Sequence, residues 1–459
     1  MEQEIDHFDK EKALTAYAKQ GQYSPRGLEA VWPVYQEQSF RLPTGLAQAV
    51  FTQFLNLPLV DKLSAFPLVL AFSEFDDSEL SWRKYDAVSF RDLCIRLGVS
   101  RRCYQEAFEP MILTGLFAPG AECSAAAALG MGECNSVIEI LTKYVLFRTY
   151  SSDVFTSAYF FVLQSQAAFD VQWCRGNIGE TIFQPWVKTM EKAGVEFTCS
   201  TRVTGFEIDK NNKKVEAVNC KLKDGSEQQM EVDDVVFAVG AKALNAFATY
   251  CPELSGYDEF RRFGNLRGTS VLATRVFLDR NVTVPYSANA CWGFDEGVGM
   301  TVFDIRALHG DDADTVNDAP GSVIEVDYYH ANQILLMNDD DIVAKVKSDL
   351  DTILGTQCER AKVVDAAVVR LPAGVNWYFP GSYQDMPKVK SAALGNVFFA
   401  GDIVRTRHGS WSQEKAYVTG VEAANLILGR GSCKIWQGSF CICTLSLEWR
   451  RYTIRTVNS

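Results

Sequence analysis

The feature that most constrains this chain is a short apolar run that ends in Gly-Asp. Residues 396–416 read NVFFAGDIVRTRHGSWSQEKA, and NVFFAGD has the length and apolar content of a strand buried on both faces. Such strands belong to parallel sheets covered by helices, and a helical pattern follows at once in SWSQEKAYVTGVEAANLIL (410–428). At the carboxyl end of a parallel strand the backbone opens into a crevice, and a helix N-terminus nearby offers free N–H groups and partial positive charge. Gly401 would let a ligand approach the backbone, and Asp402 can accept hydrogen bonds from the hydroxyls of a polyol. Ser410 and Ser412 can cap the helix, which leaves the N–H groups of Gln413 and its neighbours facing the ligand, and the small Ala416 permits close approach over the first turn. The same residues would equally make a plain strand end and capping turn.

The remainder of the chain gives this strand a discontinuous setting. Residues 1–170 are mostly helical in period, as in SFRDLCIRLG, where Ser89 is a capping residue and Gly98 a stop. Residues 171–250 change to a helix ending at Gly194, strands in 195–209, turns at Asn211-Asn212 and Asp224-Gly225, and then strand, glycine turn and helix in DDVVFAVGAKALNAF. Residues 265–380 carry further strands and one helix, DDDIVAKVKSDLDTIL, and read as an inserted α+β lobe; residues 390–428 return to the buried strand and its helix; residues 429–459 keep no period and read as an irregular tail. A sheet that is completed only after a long insertion implies interleaved domains with a cleft between them, where a cofactor and a small molecule bind.

Composition removes several alternatives. A chain of 459 residues, 47% of them hydrophobic, can bury a large core in two or three lobes, and a net charge of -12 opposes nucleic-acid binding and leaves room only for a local basic patch. Thirteen cysteines without a CxxC pair read as thiols, and Cys433, Cys441 and Cys443 have no histidine partner for a metal site. The opening MEQEIDHFDKEKAL lacks the basic start and apolar centre of a secretory signal. The most apolar window, 51–72, is broken by Pro58, Asp61, Lys62 and Pro67, so it reads as a pair of core or membrane-surface helices; Leu57, Leu59 and Leu68 are the side chains expected at a peripheral membrane contact.

Taken together, NVFFAGDIVRTRHGSWSQEKAYVTGVEAAN, WCRGNIGETIFQPWVKTMEKAGVEFTCSTRVTGFEID and VVFAVGAKAL resemble the cofactor-binding segments of FAD-dependent enzymes of the amine oxidase and phytoene desaturase superfamily. FRLPTGLAQAVF, YDAVSFRDLCIRLGVSRRCYQEAFEPMILTGLF and SVLATRVFLDR are similar to the helical and substrate lobes of carotenoid desaturases, and the likeness spans about residues 40–428. The resemblance implies an α/β fold with an incomplete doubly wound FAD-binding sheet, a helical lobe and an inserted α+β substrate domain. It implies that Asp402 bonds the ribityl and pyrophosphate part of FAD, that the backbone at Ser412, Gln413 and Glu414 faces the flavin edge, and that Val203 meets the adenine through its main chain. The flavin would take a hydride from an activated C–H bond of an apolar, polyene-like substrate, with no side-chain nucleophile. An amine or protoporphyrinogen oxidase is the alternative, with Trp411 as the aromatic residue nearest the motif. His408, with Arg405 and Arg407, could tune the flavin's charge. A carotenoid-related activity would place the protein in a plastid, any other in the cytoplasm.

One departure from that family stands out. No strand–GxGxxG–helix unit is present: GMGECN, GVGMTV and GRGSCK each lack the third glycine or the setting. Met1 is therefore expected to be an internal start, which leaves a truncated chain. Loss of the central strand would cost about 1–3 kcal/mol for each buried backbone group left unpaired. A catalytically dead remnant that still binds a partner is a third reading.

Overall fold

The computed structural model describes residues 13–35, 54, 56–75, 78–131, 170–310, 316, 319–406, 413–430 and 455–457. Contrary to the helical reading of residues 1–170, the first complete elements among the described residues are strands. β1 (Gln20–Ser24) and β2 (Gly27–Trp32) form a hairpin. The chain then gives β3 (Glu196–Thr198), β4 (Arg202–Asp209), β5 (Lys214–Lys221), β6 (Glu227–Glu231) and β7 (Val235–Phe237), followed by β8 (Gly268–Leu278), β9 (Ala288–Cys291) and β10 (Gly299–Asp304). The last are β11 (Val323–Tyr329), β12 (Val363–Asn376), β13 (Val397–Phe399) and β14 (Arg455–Val457).

Seven of these make one sheet in the order β12-β8-β11-β10-β9-β1-β2. Neighbours are antiparallel except β1 on β9, so the hairpin from the start of the chain completes the sheet of the α+β lobe across more than 250 residues of sequence. One face packs on helix Asp339–Leu354, whose Ile342, Val346 and Leu350 meet Leu272, Val276, Ile324 and Val326. This helix forms where its sequence directs it. Asn338 accepts a hydrogen bond from the Asp341 N–H at 2.9 Å, three aspartates occupy the first turn, and the chain turns out at Gly355. The opposite face meets helix Glu109–Leu116 and the Trp173 segment, where Trp173 packs edge-on against Phe303 at 5.0 Å.

The helical lobe follows its capping residues. Ser78, Ser89 and Ser124 each accept a bond from the first turn of helices Glu79–Asp86, Phe90–Arg96 and Ala125–Gly130. Pro58 precedes helix Leu59–Ser64 and Pro67 lies in the first turn of Phe66–Glu74, so the apolar window is two short helices.

The part of the fold that holds the Gly-Asp strand is built of small pieces. β13 pairs in parallel with β7, and its other edge is covered by residues 388–391, where the Phe399 N–H donates to the Val389 carbonyl at 2.8 Å. β3 pairs in parallel with β14, so the tail read as irregular supplies one described strand; β4, β5 and β6 form a separate meander. Phe206, Phe237, Phe247, Phe260, Phe263 and Phe399 close the core between the meander, the parallel pair and helix Ala241–Tyr250. The glycine triplets are structural: GMGECN ends a helix, GVGMTV enters β10, and Gly429 follows helix Gln413–Ile427 with φ +62°.

Candidate active site

β7 and β13 run side by side, so the turns that follow them, at Gly240 and Gly401, open on the same side. Gly401 has φ +126°, a conformation for glycine, and a Cβ placed there would meet nothing within 4 Å. Thr419, fully buried in helix Gln413–Ile427, holds this turn in place. Its hydroxyl accepts from the Gly401 N–H at 2.9 Å and lies 2.8 Å from the Lys415 carbonyl, to which it donates.

Asp402 comes next and is held by two side chains. The Asn376 amide, at the end of β12, donates to Asp402 Oδ1 at 2.6 Å, while its Oδ1 accepts from the Ala241 N–H at 2.6 Å. Asn376 thus ties the first turn of helix Ala241–Tyr250 to Asp402. A side chain at Gly240 would press to 3.1 Å from the Asn376 amide oxygen, so glycine keeps this approach close. The buried Tyr378 hydroxyl donates to the Asp402 carbonyl at 2.9 Å and lies 3.4 Å from Oδ2. Lys415, buried to 1% exposure, places its ammonium 5.9 Å from the Tyr378 ring centroid.

Burial raises the Asp402 carboxyl above the ordinary carboxylate range, against the opposing pull of Lys415, Tyr378 and Asn376. Burial, and then the Asp402 charge, pushes the Tyr378 phenol well above its usual value, so it stays a donor. A carboxylate has about four acceptor positions, so Asp402 can still accept from hydroxyl groups of a ligand.

A second group joins the lobes beside this site. Trp377 donates from Nε1 to the Glu122 carbonyl at 3.0 Å, and its ring lies edge-on to His330, 5.8 Å between centroids. His330 reaches Thr269 at 3.3 Å and Glu122 at 3.5 Å. Burial lowers its pKa, with Glu122 opposing. The helical lobe and the large sheet therefore meet at Trp377, between the Asn376 and Tyr378 that bond Asp402.

The structure brings Gly401, Asp402 and Ala416 together: the Thr419 hydroxyl lies 3.1 Å from the Ala416 carbonyl. Gln413 and Glu414 open the helix on its exposed side. Ser412, with Arg407, His408, Ser410 and Trp411, lies outside the described residues. Arg405 turns away from the cofactor side and donates to the Met386 carbonyl at 2.8 Å. Val203, half-buried on β4 opposite Cys220, has no described contact with the Asp402 group. Asn376, Tyr378, Lys415 and Thr419 went unnoticed in the sequence. The only available signal for the first two was a polar-aromatic stretch, GVNWYFPG, at a strand end; Lys415 in an exposed-looking helix gave none.

The family model described as flavin containing amine oxidoreductase matches residues 7–428, and the chain belongs to that family. It is thereby an FAD-dependent oxidoreductase of mixed α/β fold. Solved structures of the same fold include an oxidoreductase from Methanosarcina mazei, at 12% identity over 90% of this chain and 83% of that one, with a TM-score of 0.55. They also include cyclohexylamine oxidase from Brevibacterium oxydans IH-35A, at 13% identity, 91% and 82% coverage and a TM-score of 0.54. Putrescine oxidase bound to putrescine matches at 15% identity, 84% and 82% coverage and a TM-score of 0.53. No curated protein sequence matches the chain.

The residues present fit one end of FAD. The open backbone at Gly401, the remaining acceptor capacity of Asp402 and the start of a 15-residue helix suit the ribityl chain and the flavin ring edge. The pyrophosphate has no glycine-rich cradle in this sequence.

Proposed function

We propose that the protein oxidises a largely apolar substrate, with hydride leaving an activated C–H bond. The single observation that supports this best is Asp402, held by Asn376 and Tyr378 at the end of the paired strands and open to further donors. When bound, FAD would supply the hydride acceptor. The chain's own part is to hold and orient. Asp402 accepts hydroxyls, Tyr378 keeps its proton and fixes the Asp402 carbonyl, and Asn376 prevents the two strand-end turns from separating. The sheet face beyond His330 carries Val271, Ala273, Phe303 and Tyr329, with Phe117 packed on Tyr329 at 4.7 Å, together with Thr301, Asp327 and the Arg275–Glu325 ion pair. Its apolar end, at Val271, Tyr329 and Phe117, suits a polyene.

A second reading, an amine substrate, is favoured by one side chain on that face. Asp327 sits beside Tyr329 on β11, opposite Thr301, and its buried Oδ1 has no hydrogen-bond partner among the described residues. A substrate ammonium would satisfy it. Anaerobic mixing of the FAD-loaded protein with a polyene in detergent, and separately with a panel of primary amines, separates the two. Bleaching of the flavin band by the polyene alone supports the first reading; bleaching by an amine, lost in Asp327→Asn, replaces it with the second.

A further inference from the structure

His330 follows β11 in a backbone conformation that side chains rarely adopt. Its φ is +58°, and Phe117 at +55° and Ala373 at +52° share that left-handed region, three of the five such non-glycine residues among the described residues. All three are tied to the start of β8. The Thr269 hydroxyl donates to the Phe117 carbonyl at 2.8 Å, Ser270 Oγ accepts from the Ala373 N–H at 3.1 Å, and the Ser270 carbonyl accepts from the N–H of Ala331, next to His330, at 2.9 Å. Such conformations persist only where the surroundings over-determine them, and here they gather where the large sheet meets the helical lobe.

The count of hydrogens fixes the tautomer of the histidine. A threonine hydroxyl has one hydrogen, and the Phe117 carbonyl, which can only accept, takes it, so Nδ1 of His330, 3.3 Å from Thr269 Oγ1, is the donor of that pair. The neutral ring then turns a bare Nε2 toward Glu122 Oε2 at 3.5 Å, two acceptors facing each other beyond the length of a formed bond. A proton on Nε2 would join them by a charge-assisted bond. Burial lowers the His330 pKa and Glu122 opposes, so that proton is taken below the ordinary histidine range. Other charged and titratable side chains on the surrounding elements are engaged elsewhere. Arg267 lies over the Phe379 ring, Arg370 pairs with Asp339, Glu109 accepts from Tyr104 and the Gly120 N–H, and burial pushes the Tyr329 phenol up, so it keeps its proton. Asp327, on the same strand as Tyr329, has a carboxyl lifted to about 7 and is the group a pH experiment must separate from His330.

Glu122 is also the residue whose carbonyl accepts from Trp377 Nε1 at 3.0 Å, and the His330 ring lies edge-on to Trp377. Trp377 stands between Asn376 and Tyr378, which bond Asp402. We propose that His330 is a positioning residue operated by a proton: its imidazolium closes on Glu122, fixes Trp377 and thereby steadies the two side chains that hold Asp402. The Glu122 side chain, 46% exposed, has room to swing toward the ring, which is 15% exposed and held by Thr269. The effect on FAD rests on the reading that Asp402 binds the cofactor, whereas the joint itself does not.

The test follows Trp377 by fluorine NMR in the full chain labelled with 5-fluorotryptophan, its resonance assigned with Trp377→Phe, from about pH 5 to about pH 8, with and without FAD. The wild-type signal should move with a midpoint below about 6.5. His330→Gln, whose amide donates at every pH, and His330→Asn, which suits the left-handed backbone, should each abolish that movement. Glu122→Gln should keep it and bring the midpoint to lower pH, because the charge that favours the imidazolium is gone. Asp327→Asn should leave the midpoint in place. FAD should bind wild type several-fold more tightly below the midpoint than above it, and His330→Gln should reduce that ratio. A Trp377 signal that ignores pH, or one that still titrates in both His330 variants, overturns the proposal; so does an FAD affinity with the same pH dependence in wild type and His330→Gln. Titration of Trp377 in a protein that takes up no FAD at any pH would contradict the Asp402 reading and uphold the joint.

Discussion

The seven-stranded sheet and the smaller lobe that carries Asp402 both bury their strand cores, β13 included, yet they differ in how their helices are covered. In the sheet lobe, Leu272, Val276, Val326, Ile342, Val346 and Leu350 are all fully enclosed by other parts of the same lobe. In the smaller lobe, helical residues Gly179–Phe183 and Gln184–Lys192 include none that is buried, and Trp186, Phe183 and Val236 remain 51%, 45% and 41% exposed. Secondary structure and burial are thus separable. One region covers the apolar face of its long helix; the other leaves helix Gln184–Lys192 without a buried residue, and FAD bound at Asp402 should stabilise it by mass action.

That contrast can be broken most directly in the core. Leu350→Ala should cost about 2–5 kcal/mol in denaturant unfolding, while Trp186→Ala should cost well under about 1 kcal/mol without FAD. Equal costs would erase the difference between the regions. A smaller effect is expected at the joint between them. Asn376→Ala leaves the Asp402 carboxylate and the Ala241 N–H short of a partner, and should cost about 2–3 kcal/mol and weaken FAD binding together. Loss of stability with unchanged FAD affinity would assign Asn376 to packing alone.

Asp327 gives the sheet lobe a pH signature. Burial lifts its carboxyl to about 7, with Glu325 adding and Arg275 opposing. The folded value lies above the unfolded one, so its contribution is complete below the ordinary carboxylate range and is lost as pH rises towards 7. Between pH 5 and pH 8 the loss amounts to at most about 2–3 kcal/mol. Asp327→Asn should therefore melt higher than wild type at pH 8, with the gain shrinking at pH 5; a gain independent of pH would contradict this. The smallest effect belongs to Thr419→Val, which removes the hydroxyl from the Gly401 turn and should cost about 1 kcal/mol, visible as a lower melting temperature of the FAD-loaded protein.

The two strand ends at Gly240 and Gly401 were legible because their signals are local. NVFFAGD is a buried strand with a left-handed glycine at its end, and VVFAVGAKAL is a strand, a turn and a helix start, so both could be placed without tertiary knowledge. The hairpin at 20–32 was not, because its polar sequence has no strand period and it becomes a strand by pairing with β9, far along the chain. Leu57 and Leu68 could not be distinguished from Leu59 and Leu63, since both sides of those helices are apolar and only tertiary packing decides which is covered. Lys415 reads as a solvated lysine in any sequence pattern, and its burial beside Tyr378 follows from the docking of helix Gln413–Ile427 on β13.

The central claim is that Asp402 and its partners hold FAD. The measurement that tests it is the visible spectrum of the full chain after incubation with FAD and removal of the excess, with Asp402→Ala alongside. A flavin band near 450 nm that survives desalting in wild type and falls about tenfold or more in the variant is the predicted result. A wild type that emerges colourless, or a variant that keeps the same band, would contradict it.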